Sequence, residues 1–398
     1  MAAGSHASLI ARRWLILLVL FLARTAMAYQ FQTVGTLGPI LVDAFKIDFV
    51  WLGTLIGLYM LPGTVFALPG GLLGQRYGAK NIVLVGLLLM AVGGALTAME
   101  LFPIAVSGRL ISGVGAVLIN VIMTKMVTDW FAGREIITAM AIFIASWPLG
   151  IALALISFPV IAAAASWTAA MYVAASVALL CLILVALIYR DPPNSQAGPS
   201  STFRIAMTER EWLLISLAGL IWTAYNVGLI VLISFLPELF TVRGYSLADA
   251  SRIVSLLGWV QIPSVPLSGY VAERLNRPNL LMVAGFCTVA IAAAVLPFSS
   301  APVAVYTLVV LGIGLPAGLI MALPAQSLQA ENRSVGMGIY FTFYYAGMAL
   351  LPALAGLARD LADSPAATAL FASTMMGVAL IGLFGFRTVQ RRVGAMSA

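Results

Sequence analysis

Apolar runs of about twenty residues recur along the whole chain, each closed by a short break of charged residues, proline or glycine. A helix needs roughly 20 apolar residues to cross the hydrocarbon of a bilayer. The runs therefore predict spanning helices near 12–35, 50–74, 80–99, 104–128, 137–160, 167–189, 211–236, 248–272, 280–298, 303–326, 335–357 and 367–389. A membrane barrel would instead show strands of about ten residues with alternating polarity. The pattern predicts an all-α membrane protein with twelve transmembrane helices.

The longest polar stretch, Arg190 to Glu211, contains Pro192, Pro193, Gly198 and Pro199 and reads as a linker at the middle of the chain. Sliding the chain so that Arg13-Trp14 falls on Glu211-Trp212 also brings Thr25-Ala26 onto Thr223-Ala224, Pro39 onto Pro237, Gly71 onto Gly269 and Arg76 onto Arg274. Nearly the same shift brings Gly113 and Gly115 onto Gly312 and Gly314. Several coincidences at almost one offset predict a duplication of six helices, with bundles at 1–189 and 211–398 and a cytoplasmic linker at 190–210. An even number of helices per half makes the bundles parallel, related by an axis along the membrane normal. Two such bundles leave a midplane cavity, which rocking opens to either side in turn.

Composition strengthens this picture. With 62% hydrophobic and 9% charged residues, against about 25% charged in soluble domains, the chain cannot coat a water-soluble surface. The net charge of +7 would raise the question of nucleic acid, but the basic residues are spread over the loops and form no single basic face. They also divide unequally. Arg12, Arg13, Arg76, Lys80, Lys125, Arg134, Arg190, Arg204, Arg210, Arg274, Arg277, Arg333, Arg387, Arg391 and Arg392 fall on one side, and Lys46, Arg243, Arg252 and Arg359 on the other. The positive-inside rule then places both termini in the cytoplasm of a bacterial-type inner membrane. Residues 12–28 imitate a signal peptide ending in Ala26-Met27-Ala28, but the apolar run continues to Val42 and its helix has a partner in the other half, so an uncleaved first helix is expected. Cys181 and Cys287 lie inside apolar runs and read as small core residues.

The charges inside the spans carry the chemistry. Every acid falls in or near a loop or helix end, while Arg24 and Arg109 fall within spans. A charge at the bilayer centre costs about 2.5–3.5 kcal/mol on insertion scales and is usually functional. A bound anion is the expected counter-charge, although Arg109 reads equally well as a structural residue bonded to main-chain carbonyls. Helical spacing places Arg24 with Ala28 and Phe31 on one face of the first helix, with Gln32 at its flank. Asn120 shares the face of Arg109 on the fourth helix, and Trp222, Tyr225 and Asn226 cluster on the seventh, Trp222 at the repeat position of Arg24. Gln261 on the eighth and Tyr340 and Tyr344 on the eleventh complete the candidate substrate contacts, though aromatic residues at such spacing also serve ordinary packing.

Between the second and third spans the chain reads Gly71-Leu-Leu-Gly-Gln75-Arg76-Tyr-Gly78-Ala-Lys80, which resembles the G-x-L-x-D-R-x-G-x-K loop of the major facilitator superfamily. The second half repeats it as Gly269 to Arg274, with Glu273 where the first half has Gln75 in place of the family's Asp. Arg109 to Ala116 is similar to the family's R-x-x-x-G-x-G-x-A helix. The resemblance covers essentially the whole chain. It implies two parallel six-helix bundles working by alternating access, a cytoplasmic gate at Gly71, Arg76, Gly78, Lys80, Glu273 and Arg274, and substrate contacts on the cavity-lining helices. The cyanate and nitrate/nitrite branches are faintly similar.

The expected activity is secondary transport of a small, anionic solute, with no cofactor and no catalytic residue. Three couplings stay open: a proton travelling with a weak-acid substrate, exchange, or uniport. A multidrug or metabolite exporter is the alternative, against which Pro148-Leu149-Gly150 is only a fragment of the exporter motif. A membrane-embedded enzyme would need acids, bases or metal ligands that the sequence does not cluster, its one histidine being His6. A non-transporting sensor of the same fold is the remaining alternative.

Overall fold

In hydrocarbon each backbone N–H and C=O must find a partner within the protein, which leaves helices or closed barrels, and apolar runs of this length fold as helices. The computed structural model describes residues 2–131, 135–192, 207–329 and 332–394. Among them the helices are α1 (Ala2–Thr36), α2 (Gly38–Phe45), α3 (Phe49–Leu58), α4 (Gly63–Tyr77), α5 (Ala79–Thr97), α6 (Phe102–Phe131), α7 (Ile136–Ala164) and α8 (Trp167–Ile188). The second half contributes α9 (Glu209–Val242), α10 (Leu247–Leu275), α11 (Pro278–Val295), α12 (Pro302–Met321), α13 (Leu323–Ser327), α14 (Arg333–Ala362) and α15 (Ala366–Gly394).

Eleven helical segments among the described residues are long and apolar enough to cross a membrane. α10 is not one of them, although it runs for 29 residues. Ser251, Ser255, Gln261, Ser264 and Ser268 dilute its apolar character. Two expected spans are divided. The 50–74 run breaks between Leu58 and Gly63, where Pro62 lacks the N–H a continuing helix needs, and the 303–326 run breaks at Ala322, two residues before Pro324. The linker is shorter than expected at its far end. α9 starts at Glu209, capped by the Thr208 hydroxyl on the Glu211 N–H and by the Glu211 carboxylate on the Thr208 N–H. Residues 193–206 of the predicted linker lie outside the described residues.

The chain divides into two compact units that do not follow its halves: residues 1–33 with 65–200, and 34–64 with 201–398. In the first unit α5 packs against both α6 and α8. The α5–α6 contact runs backbone to backbone, since a Cβ on Gly93 would meet the Gly108 carbonyl and one on Gly115 the Gly86 carbonyl. This is why the glycine pattern on α6 is needed: small residues let membrane helices approach closely.

In the second unit α9 is enclosed by α14 and α15, and α3 lies along α14. Cβ atoms on Gly53, Gly57 and Gly356 would strike the carbonyls of Pro352, Ala349 and Phe49. Asp360 of α14 caps α3, its carboxylate accepting from the N–H groups of Phe49 (3.2 Å) and Val50 (2.8 Å). The neighbouring Arg359 lies over the Phe49 ring at 4.3 Å and donates to Glu238 Oε1 of α9 from Nη2 (2.8 Å) and Nε (3.0 Å). The side chains of this ion pair are only 17% and 8% exposed. Glu238 and Arg359 lie outside the spans expected at 211–236 and 335–357. The helices run further, to Val242 and Ala362, and carry both charges inside them.

Candidate functional site

Arg24 stands at the middle of the span Arg12–Thr36. The exposed apolar stripe of this helix is Leu15, Leu18 and Leu22. At roughly 100° per residue Arg24 projects from nearly the opposite face. Nε donates to Asn120 Oδ1 at 3.2 Å. Nη1 donates to the carbonyls of Phe143 and Ile144, both at 3.1 Å, and to Ser146 Oγ at 3.3 Å. The guanidinium also lies over the Phe143 ring, 4.9 Å from its centre.

These acceptors have a local cause. In a regular helix the Ile144 carbonyl would receive the N–H of residue 148, but Pro148 has none. The released carbonyl faces Arg24 instead. Gly150 then lets α7 approach α1, since a Cβ there would meet the Thr25 carbonyl and the Tyr29 N–H. Pro148-Leu149-Gly150, read from sequence as a motif fragment, thus builds the surroundings of Arg24. Asn120 was a candidate from sequence; Ser146 and the two carbonyls were not, because only the packing of α7 on α1 reveals them.

Arg109 has the structural arrangement, bonded to main-chain carbonyls. It is 1% exposed and donates from Nη1 to the Gln30 carbonyl (3.2 Å) and from Nη2 to the Phe31 carbonyl (3.1 Å). With Gln30, Thr33, Thr97 and Ser112 it borders a crevice that leaves no room for a water molecule. Gln32 differs: it is fully buried, and neither its amide nitrogen nor its amide oxygen has a hydrogen-bond partner.

The second unit gathers the remaining candidates around one indole. The Trp222 ring lies 5.8 Å from Tyr225 and 6.2 Å from Tyr340, each plane within 21° of its own, and 6.2 Å from Tyr344 at 35°. Tyr225 donates its hydroxyl to the Ile313 carbonyl (2.7 Å) and accepts from Gln261 Nε2 (3.4 Å). Tyr340 donates to the Met321 sulfur at 3.6 Å. Asn226 returns its Nδ2 to the Trp222 carbonyl (2.8 Å). The Trp222 Nε1 is buried without an acceptor.

Among the gating candidates, Gly78 adopts φ +84°, a left-handed value that favours glycine at the start of α5. Lys80 caps the end of α8, donating Nζ to the carbonyls of Ala186 (2.8 Å) and Tyr189 (3.0 Å). Arg76 is exposed beside Tyr77, and Glu273 and Arg274 are exposed at the end of α10, where Arg274 donates to the Tyr270 hydroxyl at 3.4 Å. Gly71 lies outside the described side chains. Glu211 forms a junction outside the candidate set: its carboxylate accepts from the Gln329 N–H (2.9 Å) and from Asn332 Nδ2 (2.9 Å), as well as from Thr208. The Thr208-x-x-Glu211 spacing was the available signal.

Residues 18–352 match the sequence family described as Major Facilitator Superfamily. The chain belongs to the major facilitator superfamily. It is accordingly a membrane transporter by family and not an enzyme. A 3-(3-hydroxy-phenyl)propionate transporter of Escherichia coli (strain K12) is 27% identical over 393 residues, covering 94% of this chain and 93% of that one. A choline/ethanolamine transporter of Homo sapiens is 27% identical over 239 residues, covering 56% of this chain; the chain spans only 44% of that relative's length. Among solved structures, a nucleoside transporter superposes with a TM-score of 0.76 at 13% identity, covering 94% of this chain and 99% of the other, a likeness of fold.

Proposed function

We propose that this major facilitator protein carries a small organic anion across a bacterial-type inner membrane by alternating access. Arg24 carries the reading: a guanidinium at the centre of a membrane span, oriented by Asn120, Ser146 and two carbonyls. Insertion of such a charge costs about 2.5–3.5 kcal/mol, and recognition of a negative substrate is the use that offsets it. The nearly full-length relative named for a phenylpropionate, which is a carboxylate, supports the same reading. The guanidinium would bind the carboxylate, with Gln32 adding a hydrogen bond. A weak-acid substrate can also bring a coupling proton with it.

α10 supplies the twelfth crossing in this reading, which gives six helices on each side of the linker at 190–210 and both termini in the cytoplasm. The concentration of Lys and Arg in the loops assigned inside supports that topology. The loop from Gly71 to Lys80 and its repeat at Glu273 and Arg274 act at the cytoplasmic gate, Lys80 through its hold on the end of α8.

A second reading has its own observation. Aromatic faces bind ammonium groups, Trp222 is ringed by three tyrosines, and one relative is named for choline and ethanolamine. Uptake into proteoliposomes separates the two. Organic acids should be transported by the wild type, with Arg24→Gln lowering uptake at least tenfold and Arg24→Lys retaining part of it. Uptake of choline that is indifferent to Arg24→Gln would overturn the anion reading.

A further inference from the structure

Three candidate membrane spans of the second unit end at one place. Asn279 stands at the start of the span Pro278–Phe298, Gln326 at the end of Pro302–Ser327 and Arg387 near the end of Ala366–Arg391. The Arg387 guanidinium of α15 ties them together. Nε donates to Asn279 Oδ1 of α11 at 2.8 Å, and Nη1 donates to Gln326 Oε1 of α13 and to Gln390 Oε1, both at 2.7 Å. Each partner is a neutral amide. Among the described residues no carboxylate pairs with Arg387, and its Nη2 makes no hydrogen bond. The cation is therefore oriented by its neighbours but not neutralised by them.

The outer face of α15 shows what surrounds it. Ile381 and Phe384 are 73% and 58% exposed, and Thr388 and Arg391 follow, both exposed, at spacings that keep all four on one face. That face turns from apolar to polar and charged within about two turns, as a spanning helix does where hydrocarbon gives way to lipid headgroups. α11 makes the same change: Leu280 is exposed, and Arg277, three residues before it, is exposed too.

The charges at this depth add up without an acid. Arg387 and Arg391 are four residues apart on one helix, where like charges repel. The C-terminal dipole of α15 offsets only about half a charge. Arg277 stands two residues before Asn279, the residue that holds Arg387 Nε, and brings a third cation. A guanidinium whose N–H groups are still free suits the oxygens of a phosphate, and basic pockets between membrane helices recognise anionic headgroups.

We propose that Arg387, Arg391 and Arg277 bind the phosphate of an anionic phospholipid, whose acyl chains run along Ile381 and Phe384. Arg387 is the oriented donor. Arg391 and Arg277 supply the charge that favours a net-anionic headgroup over a zwitterionic one. This site is separate from substrate recognition and holds whichever solute the protein carries.

The test is lipid retention by the purified full-length protein in detergent, titrated with dioleoyl phosphatidylglycerol or dioleoyl phosphatidylcholine and read by native mass spectrometry. Wild type should bind the phosphatidylglycerol at least about tenfold more tightly. Arg387→Gln and Arg391→Gln should each lower that preference about fivefold, the share of one basic residue beside an anionic surface. Arg391 makes no hydrogen bond or ion pair among the described residues, so its variant keeps the test open if Arg387→Gln fails to fold. Arg252→Gln removes an exposed arginine near the start of α10 and should leave the preference as it is. Equal retention of the two lipids by wild type, a preference unchanged in either folded variant of the site, or an equal fall in Arg252→Gln overturns the inference. Displacement of phosphatidylglycerol by inorganic phosphate at the same concentration also overturns it, since that marks a site for the free ion.

Discussion

Replacing Gln32 by methionine should stabilise the protein and impair its transport. Gln32 is fully buried, and neither its amide nitrogen nor its amide oxygen has a partner. An unsatisfied buried polar group costs about 1–3 kcal/mol. Methionine follows the same unbranched path with no polar atom, and near-isosteric apolar swaps cost less than about 1.5 kcal/mol in packing. Taking one such penalty for each amide atom and subtracting the packing loss leaves a net gain of roughly 1–4 kcal/mol. At about 2 °C per kcal/mol for a long chain, the unfolding midpoint should rise by a few degrees. The assay is paired: thermal unfolding of purified protein followed by intrinsic fluorescence, and uptake of an organic acid into proteoliposomes. A lowered midpoint would show that the amide is bonded in the folded protein. An unchanged uptake rate would show that it does not hold substrate. A group that destabilises the empty fold and is retained for its task is the usual trade between stability and activity.

Two further outcomes follow from single contacts. Glu238→Ala alone should destabilise by about 3 kcal/mol, because it leaves Arg359 charged in a largely enclosed site with only the exposed Asp363 beside it, whereas Glu238→Leu with Arg359→Leu should come within about 2 kcal/mol of wild type. Thermal unfolding of the single and double variants checks this, and equal losses in both would refute it. Pro148→Ala should restore an N–H for the Ile144 carbonyl and take that acceptor from Arg24. The expected result is unchanged or higher stability with several-fold weaker binding of organic acids; binding equal to wild type would mean that this carbonyl does not orient the guanidinium.

The sequence by itself determined most of the architecture. Backbone polar groups in hydrocarbon must be satisfied within the protein, by helices or closed barrels, and runs of roughly 20 apolar residues are too long for barrel strands. It likewise determined that Arg24 is exceptional, since a charge among apolar residues is visible without coordinates, and that Gly78 is needed, since a helix-to-helix turn calls for a residue that tolerates positive φ. The glycines of α6 could be read as close-approach sites, but not that Gly86 and Gly93 are their partners.

What the tertiary structure decided is which polar group meets which. Arg24 and Arg109 look alike in sequence. One is oriented by Asn120, Ser146 and the carbonyl that Pro148 releases; the other is enclosed on the carbonyls of Gln30 and Phe31. Glu238 read as an outer-loop acid, and only the continuation of α9 to Val242 brings it to Arg359. The physical reason is common to these cases. Helical periodicity fixes the face a residue occupies from local spacing alone, whereas a side chain's partner depends on packing between segments far apart in the chain.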